Sequence, residues 1–254
     1  MIVITGKNTR LLCALLTGLG VQIGYAGTQG PVGPSNDWRP LITLTLGPDF
    51  TNLDRAQTLT LLPPFQNHYT VDKSSNTLLD GGVLVGVEHQ VDERWSWQFG
   101  VAGFFNSTTV VKGHVWQFAL PEYDNFTYRY RVQPIRVVAA GKILSTYKQI
   151  LHPYVSGELG AGINRAKEYY EAPLIVEAVP MAPFTRHTKS SFSWAVGGGV
   201  DVDVWRNTRL GIGYQYADLG KASLNRSPAQ VTNQSLGFSH IYAHQLRFQL
   251  TYLV

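Results

Sequence analysis

Eight stretches of this chain alternate apolar with small or polar residues, and the connections between them alternate long and short. In the last stretch Leu246, Phe248, Leu250, Tyr252 and Val254 share one parity, while Arg247, Gln249 and Thr251 share the other. Side chains repeat every two residues along a strand, so this pattern predicts strands with one greasy and one wet face. Strands are expected at 38–47, 79–89, 94–105, 127–142, 151–164, 191–204, 208–217 and 242–254. Short connections fall at 90–93, 143–150 and 205–207, and long ones at about 48–78, 106–126, 165–190 and 218–241. Short turns at one end and long loops at the other mark barrels of bacterial outer membranes. The expected fold is all-β: a transmembrane eight-stranded antiparallel up-and-down β-barrel over 38–254. Its four long loops are expected to be extracellular and both termini periplasmic, with no separate domain after Val254.

Face assignment sharpens this expectation. One parity carries Ile42, Leu44 and Leu46, then Val83, Val85 and Val87, then Trp95, Trp97, Phe99 and Val101. Val155, Leu159, Ile163, Trp194, Val196, Val200, Val202, Leu210, Ile212, Tyr214 and Tyr216 continue it without a charge. A cation at mid-bilayer costs roughly 2–4 kcal/mol, which accounts for that exclusion. The other parity holds Gly82, Gly86, Gly100, Gly160, Gly162, Gly197, Gly199, Gly211 and Gly213, suiting the narrow interior of an eight-stranded barrel. A soluble barrel with the aromatic face inward is the rival reading. It would show water a surface of Gly, Ala and Ser, and strand glycines there would weaken the sheet for no gain. Trp38, Trp95, Trp194, Tyr216 and Tyr252 lie near strand ends, as interfacial aromatics do. In 127–142 the apolar parity shifts from Tyr128, Tyr130 and Val132 to Ile135, Val137 and Ala139, so a β-bulge at Gln133-Pro134 is expected to reset the faces.

Composition adds limits. Of 254 residues only 15% are charged, and no run of about 18 apolar residues exists beyond the N-terminus to supply a spanning helix. Residues 1–26 read as a signal peptide: Lys7 and Arg10 precede the apolar run from Leu11 to Ile23, and Gly24-Tyr25-Ala26 offers a small-residue cleavage site. Residues 27–37 read as a periplasmic leader. The single cysteine, Cys13, falls in the signal peptide, which leaves no thiol chemistry to the mature chain. The net charge of +4 falls to +2 once Lys7 and Arg10 are removed, too little to argue for nucleic acid.

The stretch from Phe192 to Gly220, FSWAVGGGVDVDVWRNTRLGIGYQYADLG, resembles the penultimate hairpin of opacity-protein-like, OmpA-like eight-stranded outer-membrane barrels. His152 to Asn164, HPYVSGELGAGIN, resembles that family's Pro-Tyr-x-x-x-x-Gly-x-Gly strand. Tyr252 and Val254 resemble its C-terminal assembly signal, although Phe is the usual last residue. The resemblance spans roughly Trp38 to Val254. It implies surface exposure, roles in adhesion, membrane integrity or host contact, no cofactor, and assembly by the barrel-assembly machinery within lipid and lipopolysaccharide.

Candidate chemistry is of two kinds. Arg136, Glu158 and Arg247 should meet at middle depth in the lumen, and Asp201 and Asp203 should pair with Arg209 near the periplasmic end. Two readings stand, a switchable gate or charges that fill a narrow polar core. The long loops are apolar for surface segments, with Leu61, Leu62, Phe65 and Tyr69 in the first and Trp116 and Phe118 in the second. Leu174, Ile175, Val176 and Phe184 lie in the third. Such patches either bind a partner or pack on one another. Catalysis has little support. His240 and His244 on one strand would be roughly 13 Å apart, too far to share a metal, and His187 is linked to Ser190 and Ser191 by proximity alone. Gly197–Gly199 precedes no helix and reads as barrel packing. The expected function is non-enzymatic: envelope structure with surface adhesion or recognition of a host or surface ligand. The alternatives are a narrow channel for small or hydrophobic solutes and a lipid A-modifying hydrolase.

Overall fold

The computed structural model describes residues 38–53, 55–72 and 75–254, so the expected signal peptide and leader lie outside the described residues. The strands are β1 (Trp38–Asn52), β2 (Gln57–Thr60), β3 (Gln66–Tyr69), β4 (Ser75–Gln90), β5 (Trp95–Asn106), β6 (Thr109–Gln117) and β7 (Asp124–Gln133). They continue as β8 (Ile135–Ser145), β9 (Leu151–Pro173), β10 (His187–Trp205), β11 (Thr208–Asp218), β12 (Ala222–Ser223), β13 (Gly237–Phe238) and β14 (Tyr242–Leu253). A turn of 3-10 helix at Pro121–Tyr123 joins β6 to β7.

Eight of these strands form a closed antiparallel ring in the order β1, β4, β5, β8, β9, β10, β11, β14 and back to β1. Closure pairs the backbone groups that an open sheet would leave at its edges. Alternate residues point outward, and they are the apolar ones. A row of directly opposed partners runs Leu250, Leu44, Val83, Gly103, Val137, Ala161 and Phe192, with no charge in it. Leu44, Val83, Val137 and Phe192 are each about half or more exposed. A Leu, Val or Phe held out in water forfeits about 1.5–3 kcal/mol, so a belt of them fits a hydrocarbon surround.

Above the belt, at the long-loop end, the strands do not stop. β9 pairs with β8 as far as Arg136↔Gly162 and then with β7 from Gln133↔Arg165 to Phe126↔Pro173. β6, β3 and β2 follow, making a five-stranded cap sheet. The outer edge at β2 is covered by the last long loop. Thr60 N donates to Gln234 Oε1 at 2.8 Å, and Gln57 Nε2 donates to the Ser235 carbonyl at 3.0 Å. The cap's inner face, with Tyr69, Val111, Val115, Phe126, Tyr128, Tyr130 and Val132, packs against Phe184, Leu219, Leu236 and Phe238. The long loops thus fold on one another around a dry core.

This arrangement corrects the expected bulge at Gln133-Pro134. β7 and β8 hold one register against β9 straight through Pro134, and burial stays on the even residues from Phe126 to Ala140. The apolar parity changes because the surroundings of the two faces invert. Within the wall the inner face is polar and the outer face meets lipid; in the cap the inner face is the apolar core. The face reset lies on the partner strand. From Phe105↔Ile135 to Thr109↔Val132 the chain takes four steps against three, so Phe104 and Asn106 are buried below, and Thr109 and Val111 above. A further slip separates Arg129↔Tyr170 from Arg131↔Lys167, where Glu168 adopts a φ of 57°.

Candidate functional site

The inward parity gathers charge into layers along the barrel axis. In the layer nearest the cap, Arg247 Nη1 lies 2.7 Å from Glu158 Oε1, and Arg136 Nη1 lies 3.1 Å from Glu158 Oε2. Arg136 and Glu158 come from adjacent strands, while Arg247 reaches across the lumen from β14. Both guanidiniums lie over the Phe104 ring, with Cζ at 4.8 Å for Arg136 and 4.2 Å for Arg247. An aromatic face attracts a desolvated cation, so Phe104 separates two like charges that share one carboxylate. Arg247 Nη2 also donates to Gln245 Oε1 at 2.9 Å, and Gln245 Nε2 donates to Asp49 Oδ2 at 2.6 Å. Asp80 stands 3.6 Å from Arg247.

In the middle layer Lys142 Nζ donates to Asp201 Oδ2 at 3.0 Å and to Gln249 Oε1 at 2.7 Å, and it sits 4.0 Å over the Tyr154 ring. Tyr154 fits because Gly199 and Gly213 leave room for it: a Cβ on Gly213 would lie 2.2 Å from its hydroxyl oxygen. In the layer at the short-turn end, Arg209 Nε donates to Asp203 Oδ1 at 2.7 Å, and the same guanidinium bonds Glu88. Gln98 Nε2 donates to Glu88 at 2.8 Å, and His152 Nε2 is 3.0 Å from Asp203. What remains open between the layers is a cavity of about 40 Å³ lined by Thr43, Gln98, Phe104, Lys142 and Arg247.

The structure therefore brings Arg136, Glu158 and Arg247 together, and Asp203 with Arg209. It does not bring Asp201 to Arg209. Asp203 is the direct cross-strand partner of Arg209, whereas Asp201 lies opposite Gly211 and meets Lys142 from β8. Lys142, Glu88, Asp49 and Asp80 were missed as site residues, although each follows the inward parity of its neighbours.

At the cap's tip the apolar residues divide. Phe184, expected on the binding surface, is buried against Tyr169, with ring centroids 5.1 Å apart. Trp116 is half-buried beside His68. Phe118, Leu174 and Ile175 are about half exposed, Leu62 is 61% exposed and Val176 is 98% exposed. Phe118 packs edge-on with Phe65 at 5.8 Å and with Tyr123 at 5.4 Å. The bond from Leu174 N to the Asn125 carbonyl, 2.8 Å, holds the end of β9 beside the start of β7.

The histidines disperse. His240 pairs with Asp218 at 2.7 Å, His244 bonds the Tyr214 hydroxyl on the outer wall, and His187 approaches Ser223 at 3.4 Å rather than Ser190 or Ser191. Among the described residues no group of three or more His, Cys, Asp or Glu side chains could hold a metal ion.

No curated protein matches the chain. Among solved structures it is similar to OprG of Pseudomonas aeruginosa at 15% identity and a TM-score of 0.46, over 84% of this chain and 96% of that one. It is similar to Ail, the attachment invasion locus protein of Yersinia pestis, at 12% identity and a TM-score of 0.33, over 84% and 98% respectively. It is also similar to the outer membrane protease OmpT of Escherichia coli at 8% identity and a TM-score of 0.43, over 90% and 100%. Residues 17–252 match the family described as outer membrane protein beta-barrel domain. That match spans the whole antiparallel ring described above, and the chain belongs to this outer-membrane β-barrel family of Gram-negative bacteria.

Proposed function

We propose that this chain is a non-enzymatic surface barrel, a closed scaffold that holds a rigid recognition cap outside the outer membrane, with both barrel ends of the chain on the periplasmic side. One observation carries the reading: β6, β7 and β9 run on past the lipid belt into a sheet with its own core, whose tip leaves Leu62, Phe65, Phe118 and Val176 exposed. Apolar side chains held out on an ordered support are what an adhesive or recognition surface needs, because little ordering entropy is lost on contact. The charge layers act as filling in this reading. They fix the wall from within and leave too little space for a solute path.

The test is binding of intact cells to host-cell monolayers and to purified matrix proteins. Cells displaying the wild-type barrel should bind, and a Leu62→Ser, Phe65→Ser, Phe118→Ser, Val176→Ser variant expressed at the same level should lose most of that binding. Equal binding by both would overturn the assignment of the tip as the contact surface.

A further inference from the structure

The outer face of the cap sheet changes character just above the lipid belt. There the residues that continue the outward rows are Lys112 on β6, Arg129 and Arg131 on β7, and Arg165 and Lys167 on β9, all exposed. Arg165 stands two residues beyond Ile163 of the apolar face, about 7 Å along the strand. Lys112 is the direct cross-strand partner of Arg129, and Arg131 that of Lys167. Like charges placed directly opposite each other weaken an antiparallel pair.

The acids on this face do not balance the cations. Glu168 bonds Arg131 at 2.9 Å and Lys167 at 3.2 Å. Asp124 is taken by His114 at 2.9 Å, and Asp72 borders Lys112. Arg129 rests over the Tyr170 ring at 5.2 Å. Lys112, Arg129 and Arg131 line a concavity of about 430 Å³ with Tyr170 as one wall, and Lys112 and Arg129 also line a neighbouring one of about 390 Å³.

We infer that this face binds the phosphate-bearing headgroup of a glycolipid of the lipopolysaccharide type in the adjoining leaflet. Lys112 and Arg129 hold a phosphate between them, and the acyl chains descend along Val137, Ile163 and their neighbours. A dianionic phosphate relieves the repulsion that the bare ladder carries, and its oxygens accept the charge-assisted bonds the two cations offer. The position at the upper rim of the belt selects a membrane lipid over a dissolved anion. The inference rests on the outward orientation of the long loops proposed above.

The full-length chain, refolded into phosphatidylcholine nanodiscs, is titrated with lipopolysaccharide, with dephosphorylated lipopolysaccharide and with inorganic phosphate, and bound lipid is counted by native mass spectrometry. About tenfold in affinity accompanies each 1.4 kcal/mol, and a cation beside an anionic lipid surface contributes near 1 kcal/mol. Lys112→Gln with Arg129→Gln should therefore weaken lipopolysaccharide binding roughly thirtyfold. In phosphatidylcholine alone that variant should unfold at the same temperature as wild type or higher, because the repulsion is gone. Arg94→Gln with Arg206→Gln, at the short-turn end, should bind as wild type does. Equal binding by the Lys112 and Arg129 variant, equal binding of the dephosphorylated lipid, or saturation by inorganic phosphate would each overturn the inference. An epitope inserted beside Val176 and probed on intact cells reports orientation separately. An inaccessible epitope would sink the outward reading without touching the nanodisc result.

Discussion

Arg247 and Arg136 occupy opposite oxygens of one carboxylate, that of Glu158, at 2.7 and 3.1 Å, with the Phe104 ring beneath both guanidiniums. Arg136 is fully buried. Removing one partner of a buried ion pair typically costs about 3–5 kcal/mol, because the remaining charge stays desolvated and alone. Glu158→Gln leaves two such charges facing each other, and it should lower the unfolding free energy in micelles by that order. Glu158→Gln combined with Arg247→Met should recover part of the loss. Urea unfolding followed by gel mobility measures both, and strict additivity of the two substitutions would show that the pair is not coupled.

The same cluster predicts electrical silence. The lumen is crossed by side chains from β4, β8, β9, β10, β11 and β14, and the cavity among them is about the size of a single water site. Planar bilayers holding the refolded wild type should show no discrete openings, and Arg247→Ala should be equally silent, because Lys142, Tyr154 and the Arg209 layer still close the path. Steady conductance in the variant alone would turn Arg247 from filling into a gate.

Gly213 and Tyr154 make a third case. A methyl group at Gly213 would overlap the Tyr154 hydroxyl oxygen at 2.2 Å but would approach the ring carbon bearing it only to 3.3 Å. Gly213→Ala should therefore cost about 1–3 kcal/mol, in the usual range for overpacking. Tyr154→Phe in the same chain should restore most of it. An unchanged deficit in the double variant would place the strain in the backbone instead.

The sequence was legible where one physical rule governed a whole strand. Period-two alternation located all eight wall strands, and inward parity put Arg136, Glu158 and Arg247 on one lumen. It could not say that Lys142, across the lumen, would claim Asp201, because partners across a barrel depend on shear and tilt, which alternation does not carry. The cap was read as loops for a related reason. β6 and β7 follow the same alternation with the greasy side turned inward, and without knowing where the lipid ends, that inversion at Pro134 looked like a bulge. Phe184 was placed on the surface because it lies in a long connection, whereas its ring fills the space between Tyr69 and Tyr169.

That aromatic packing carries a titratable group. Burial raises the Glu171 carboxyl above the ordinary range, with the Tyr169 hydroxyl and a backbone bond from Met181 pulling the other way. For an acid whose folded value is raised, the stabilisation is complete below the unfolded value, near 4.3, and is lost as pH rises through the folded value. The cap should accordingly open more readily at pH 8 than at pH 4, while the barrel wall below it stays intact. Limited proteolysis, scaled to cleavage of an unfolded substrate at each pH, should show faster nicking between β9 and β10 in the alkaline sample. Glu171→Gln keeps the shape and cannot ionise, so its scaled nicking rate should stay at the acid value across the range. A wild-type profile as flat as that of the variant would mean that the carboxylate reaches water without opening the cap, and Glu171 would then have no part in holding it shut.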